Sequence, residues 1–180
     1  APESVVKILN NYLGTMADLI MEFGGTVDEF IGDAILAMFG APVTGPDDAN
    51  SAVRCALTMQ ASMEKVNRRN KELGLPEIEM GIGINTGEVV AGNIGSVKRA
   101  KYGVVGHAVN LTSRIEDQTL PGEILISANT QQQCNLNLQT GRTIQLQPKG
   151  VSETITVTQV LSEIQSPANP DNQRQAGGQQ

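Results

Sequence analysis

The chain has 180 residues, one domain's length, and can bury a core without disulfide or metal staples. A formal net charge of −6 argues against a nucleic-acid-binding face, and a single histidine, His107, excludes zinc sites and proton relays that need several. Cys55 and Cys134 lie far apart with no metal-type spacing and read as reduced thiols, which points to a cytoplasmic location. No apolar run approaches a membrane span and no signal-peptide pattern opens the sequence, although a membrane anchor in a longer parent chain is compatible with this.

In chain order, residues 4–23 carry apolar side chains at three- and four-residue steps (Ile8, Leu9, Tyr12, Leu13, Met16, Ile20), the pattern of an amphipathic helix ended by Gly24-Gly25. Residues 26–31 and 34–39 read as strands joined by Gly32-Asp33, a hairpin signal. After a Pro/Gly loop at 41–46, Asp47 or Asp48 caps a helix that runs to about Asn70. Ile78, Met80, Ile82 and Ile84 alternate as a half-buried strand does, and Thr86-Gly87 turns the chain into a second strand, 88–91. Residues 95–101 (GSVKRAK) read as a basic loop, 102–105 as a short strand and 107–117 as a helix broken by Pro121-Gly122. Strands are expected at 124–126, 143–147 and 154–161. From Ser166 the composition is Pro, Asn, Gln and Gly, so residues 163–180 form a polar tail expected to be disordered. Hairpins interleaved with helices give an α+β fold, with a ferredoxin-like, antiparallel-rich sheet and helices packed on one face.

Four segments carry the chemistry: FGGTVDEFIGDAILAMFGAP, GIGINTGEVVAGNIGS, YGVVGHAVNLTSRIE and QPKG. In this order and spacing they resemble the class III adenylyl and guanylyl cyclase catalytic domain over about residues 1–162, and are most similar to the cyanobacterial-type homodimeric guanylyl cyclases. The resemblance implies a head-to-tail homodimer with its active sites at the shared interface. It also implies two divalent metal ions, Mg²⁺ or Mn²⁺, on paired aspartates, and regulatory domains in a longer parent chain. The family's first metal aspartate, in a strand motif resembling F-x-D-I-x-x-F-T, is not in this sequence. The first strand is therefore expected to be missing, and Asp18 and Asp28 are poor substitutes by position.

Asp33 matches the family's second metal aspartate, and a carboxylate at a tight hairpin tip is a hard oxygen ligand on a rigid base. Asn110 and Arg114, four apart on a helix, face one way and match the family's transition-state pair. Arg114 would meet phosphate oxygens and Asn110 would orient the ribose. Lys149, in QPKG, matches the lysine that holds the β- and γ-phosphates. Arg99 matches a frequent arginine of its loop, and that loop, 95–101, could touch the partner subunit. Gly87, Gly92 and Gly95 are read as turn and packing glycines, and His107 as a cap or structural residue. Phe30, Val104 and Val109 either line the base pocket or belong to the core.

Two positions select the purine in proteins this chain resembles. At the position four before the metal aspartate, adenylyl cyclases carry Lys and guanylyl cyclases Glu; here it is Glu29. At the position seven before the asparagine, Asp or Thr goes with adenine and often Cys with guanine; here it is Gly103. Guanine presents adjacent N1–H and N2–H donors that one carboxylate accepts, whereas adenine N1 is an acceptor that a carboxylate repels. Gly103 removes a side chain that would accept from adenine's amine. The expectation is therefore a guanylyl cyclase converting GTP to 3′,5′-cyclic GMP and pyrophosphate. The alternatives are an adenylyl cyclase, or an inactive cyclase-like module that binds nucleotide or regulates.

Overall fold

The computed structural model describes residues 2–148 and 152–165; Lys149 and the polar tail from residue 166 lie outside the described residues. Helix α1 (Pro2–Glu22) buries Tyr12, Met16 and Ile20, one residue per turn, and leads into the hairpin of β1 (Thr26–Ile31) and β2 (Ala34–Met38). Helix α2 (Asp48–Glu72) follows; its N-cap is Asp47 without a side-chain capping bond, while Asp48 closes the preceding loop by accepting from Gly45 N at 2.7 Å. Then come β3 (Ile82–Ile84), β4 (Val90–Ser96), β5 (Arg99–Val105), α3 (His107–Glu116), β6 (Ile124–Ser127), α4 (Ala128–Gln133), β7 (Leu138–Leu146) and β8 (Ile155–Glu163).

The main sheet has the order β3-β6-β8-β7, with β3 parallel to β6 and the other pairs antiparallel; β1-β2 and β4-β5 are separate two-stranded ribbons. Alternation along β6 assigns the two faces of the sheet. Ile124 and Ile126 pack with Val53 and Ala56 of α2, while Leu125 packs with Ile115 of α3 and Val157. Helices therefore cover both faces of the sheet, where the sequence pattern pointed to one. The opposite side of α2 (Cys55, Met59, Met63, Val66) holds α1 and the β1-β2 ribbon. No helix among the described residues is long and apolar enough to cross a membrane.

Three expectations of the sequence pattern change, each for a physical reason. The strand expected from Ile78 begins only at Ile82. Side chains of α2 take over the pairing of 78–80: Asn67 bonds both the carbonyl and the amide of Ile78 at 2.9 Å, and Gln60 donates to Met80 O at 2.7 Å. The strand after Thr86-Gly87 does not pair with β3; it runs on as β4 and pairs with β5. The basic stretch 95–101 is consequently the far end of a hairpin arm that turns at Val97-Lys98. Exposed faces of such an arm tolerate charge, and Gly95, at φ +133° with the Arg99 carbonyl pressed on its Cβ direction, permits the sharp return. The short α4 was not anticipated. Its signal is Ser127, whose hydroxyl caps it by accepting from Thr130 N at 3.2 Å.

Candidate active site

Three surfaces carry the residues singled out by sequence. The first is the tip of the β1-β2 hairpin. Asp33 follows Gly32, whose φ of +63° makes the turn, and its side chain is exposed. Its negative field is felt by two neighbours. Tyr12 is pushed up to about 12, first by burial and then by Asp33 and Glu116. The Glu116 carboxyl is raised by burial, then by Asp117 and Asp33. The tip thus lies within electrostatic reach of Tyr12 on α1 and of Glu116 at the acidic end of α3, a region of negative potential suited to a cation.

As a metal centre this donor set is partial. Among the described residues no three His, Cys, Asp or Glu side chains converge, so two metal ions held by protein alone do not fit. Asp33 does fit the Mg²⁺ pattern in which one or two carboxylates share the ion with substrate phosphates and water.

The second surface is α3, which projects Asn110 and Arg114 into solvent. Among the described residues Arg114 pairs with Asp117 alone, at 3.6 Å, in an exposed pair that a phosphate can displace. The seat of this helix is a period-two stripe around β3. A Cβ on Gly83 would stand 2.6 Å from Glu116 N, and one on Gly87 2.8 Å from the Ala108 Cβ. Between them Asn85 Nδ2 donates to Ala108 O at 3.1 Å. The glycines let helix and strand touch, and Asn85 ties the first turn of α3. His107 opens α3 in an exposed position; Gly106 is the N-cap, without a side-chain capping bond, so the expected capping role does not hold.

The third surface joins β1 to β5. Lys101 Nζ donates to Glu29 Oε2 at 3.0 Å and lies 3.7 Å from Asp28 Oδ2. Gly103, facing the same way as Lys101 on β5, has Asp28 Oδ1 only 3.1 Å from its Cβ direction. Glu29 and Gly103 are therefore brought into one cluster by Lys101, which the sequence did not single out, and by Asp28, which it offered only as a poor metal ligand. The available signal was spacing: Lys101 lies two before Gly103 and so shares its strand face. Phe30 is 52 % exposed and available to a ligand, whereas Val104 is buried core and Val109 half-buried. Arg99 starts β5 in an exposed position.

With this geometry in hand, the chain can be set beside known proteins. The family model described as the adenylate and guanylate cyclase catalytic domain matches residues 1–159. The adenylate cyclase of Anabaena cylindrica is 41% identical over 124 residues, 66% of this chain and 23% of that protein. The crystal structure of the guanylyl cyclase Cya2 superposes with a TM-score of 0.88 at 51% identity, covering 94% of this chain and 85% of that one. That of the adenylyl cyclase CyaB from P. aeruginosa gives a TM-score of 0.81 at 34% identity, covering 89% and 83%. The chain spans only 17% and 23% of the length of two curated adenylate cyclases it matches. Its fold and motif order match, and the chain belongs to the adenylate and guanylate cyclase catalytic domain family.

Proposed function

We propose that this domain is a guanylyl cyclase that converts GTP to 3′,5′-cyclic GMP and pyrophosphate. The observation that carries the reading is Glu29, an exposed carboxylate of β1 held against Lys101 of β5, on the strand face that two residues on carries Gly103 and so no side chain. A carboxylate there accepts from guanine N1–H and N2–H, and a good bidentate base contact is worth about 1–3 kcal/mol of discrimination. Adenine offers its N1 lone pair to the same carboxylate and no donor, so the contact that guanine makes is replaced by repulsion.

The reaction needs no nucleophile from the protein. The ribose 3′-hydroxyl gives up its proton to water or a phosphate oxygen, its oxygen forms a bond to the α-phosphorus, the bond from that phosphorus to the bridging oxygen breaks, and pyrophosphate leaves in line. Arg114 meets phosphate oxygens as charge shifts to the leaving group, Asn110 orients the ribose, and Lys149 holds the β- and γ-phosphates. Divalent ions bound through Asp33 and the triphosphate would supply charge neutralisation and a lower pKa for the 3′-hydroxyl. In the homodimer, Asp33 serves one site, while Glu29, Asn110, Arg114 and Lys149 of the same chain serve the other, which gives two identical sites by two-fold symmetry. Val90, Ile94, Val97, Tyr102 and Val105, all exposed on the β4-β5 arm, support an interface there.

The test is a parallel product assay of the parent chain with GTP and ATP in Mg²⁺ and in Mn²⁺. Cyclic GMP as main product supports the reading, and cyclic AMP alone refutes it. A second reading, an adenylyl cyclase, is favoured by the likeness to CyaB and to the Anabaena enzyme. A third, an inactive nucleotide-binding module, is favoured by the partial donor set around Asp33; silence with both nucleotides in both metals would support it.

A further inference from the structure

Consecutive strand residues point to opposite faces, yet Asp28 and Glu29 both reach Lys101, at 3.7 and 3.0 Å. The cause is a bulge. Pairing runs Val27 to Ala37 and then Glu29 to Leu36, so Asp28 is the extra residue, and bulges re-aim the side chains around them. The Asp28 side chain is only 4 % exposed, and its Oδ1, sealed from solvent, has no hydrogen-bond partner among the described residues. That same oxygen lies 3.1 Å from where a Cβ on Gly103 would stand. A buried, half-paired carboxylate is costly, and an apolar residue would serve packing better.

Resting on the guanylyl cyclase reading above, we infer that Asp28 is a specificity-positioning residue of the base pocket, acting through Lys101 and through position 103. Its charge holds the Lys101 ammonium against Glu29, so the Glu29 carboxylate keeps one orientation toward the purine edge. Its Oδ1 takes the room that a side chain at 103 needs. Position 103 thereby favours glycine, and an acceptor for adenine's amine placed there requires Asp28 to give way by a few tenths of an ångström.

Two sets of variants of the parent chain test this. Asp28→Asn keeps the shape and removes the charge that holds Lys101. The GTP KM should rise about tenfold, the size of one lost charged contact, while kcat for GTP and KM for ATP stay within about twofold. Gly103→Ala should lower the Tm, and adding Asp28→Ala should recover that loss, because the new methyl then finds space. Equal changes for GTP and ATP, or a loss confined to kcat, would overturn the charge half; strictly additive Tm shifts would overturn the packing half. If the wild type makes only cyclic AMP while the Tm coupling persists, the function proposal has failed and the packing half stands. If cyclic GMP is made and the coupling is absent, the packing half has failed and the function proposal stands.

Discussion

Gly83→Ala is the sharpest probe of how the fold places Asn110 and Arg114. The added methyl would lie 2.6 Å from Glu116 N, 2.9 Å from its Cα and 3.0 Å from its Cβ. Comfortable contact is about 3.5 Å, so helix or strand must retreat by about 0.9 Å. The obstacles are mostly backbone, so no side-chain rotation relieves them. Overpacking of this kind costs about 1–3 kcal/mol, or a Tm lower by about 2–12 °C in a domain of this size. The effect on catalysis is expected to be larger than the effect on stability. A misplacement of about 1 Å in a positioning group costs about a hundredfold in rate, so kcat for cyclic nucleotide formation should fall about 30- to 100-fold with the GTP KM little changed. Steady-state kinetics beside a thermal melt provide the assay, with Gly14→Ala as the control. Gly14 is exposed in α1 with nothing within 4 Å of its Cβ direction, and replacing it should leave kcat alone and stabilise the chain by about 0.5–1 kcal/mol. A Gly83→Ala enzyme that loses several degrees of Tm yet keeps its kcat would refute the claim that β3 sets the working position of α3.

Glu29→Gln keeps the size of the side chain and removes the double acceptor; kcat/KM for GTP should fall about 10- to 100-fold, with ATP unchanged or improved, as read in parallel product assays. Asp33→Asn should bring the Tyr12 phenol down from about 12 toward its ordinary 10.0, since Asp33 is the largest charge acting on it after burial; absorbance titration after a pH jump reads this. The Arg142 guanidinium donates to Glu123 at 2.7 and 2.8 Å and holds its carboxyl below the ordinary 4.5. A depressed folded-state value means that the contribution is present above pH 4.5 and lost as pH falls through the folded value. Glu123→Gln should therefore have the lower Tm at pH 7, and the gap to wild type should close in melts taken below pH 4.5.

Much of the local placement of the candidate site residues was legible in the chain because it rests on short-range spacing. Gly32-Asp33 between two apolar runs fixes a hairpin tip, and a four-residue step on a helix fixes the shared direction of Asn110 and Arg114. The one-per-turn burial of Tyr12, Met16 and Ile20 is likewise written in the period of α1. Charge alone misled at 95–101, since a basic stretch reads as a loop while an exposed two-stranded arm accommodates the same residues.

What the sequence by itself determined, then, is which candidate side chains the chain holds and which helix or turn carries them. Tertiary structure decided which of them meet. The parallel pairing of β3 with β6, the seat of α3 on Gly83 and Gly87, and the bulge that turns Asp28 and Glu29 together onto Lys101 all join residues at least 20 positions apart, or break the strand alternation. Periodicity reports the face of an element and never its partner, because the partner is chosen by how the whole chain can bury its apolar faces at once.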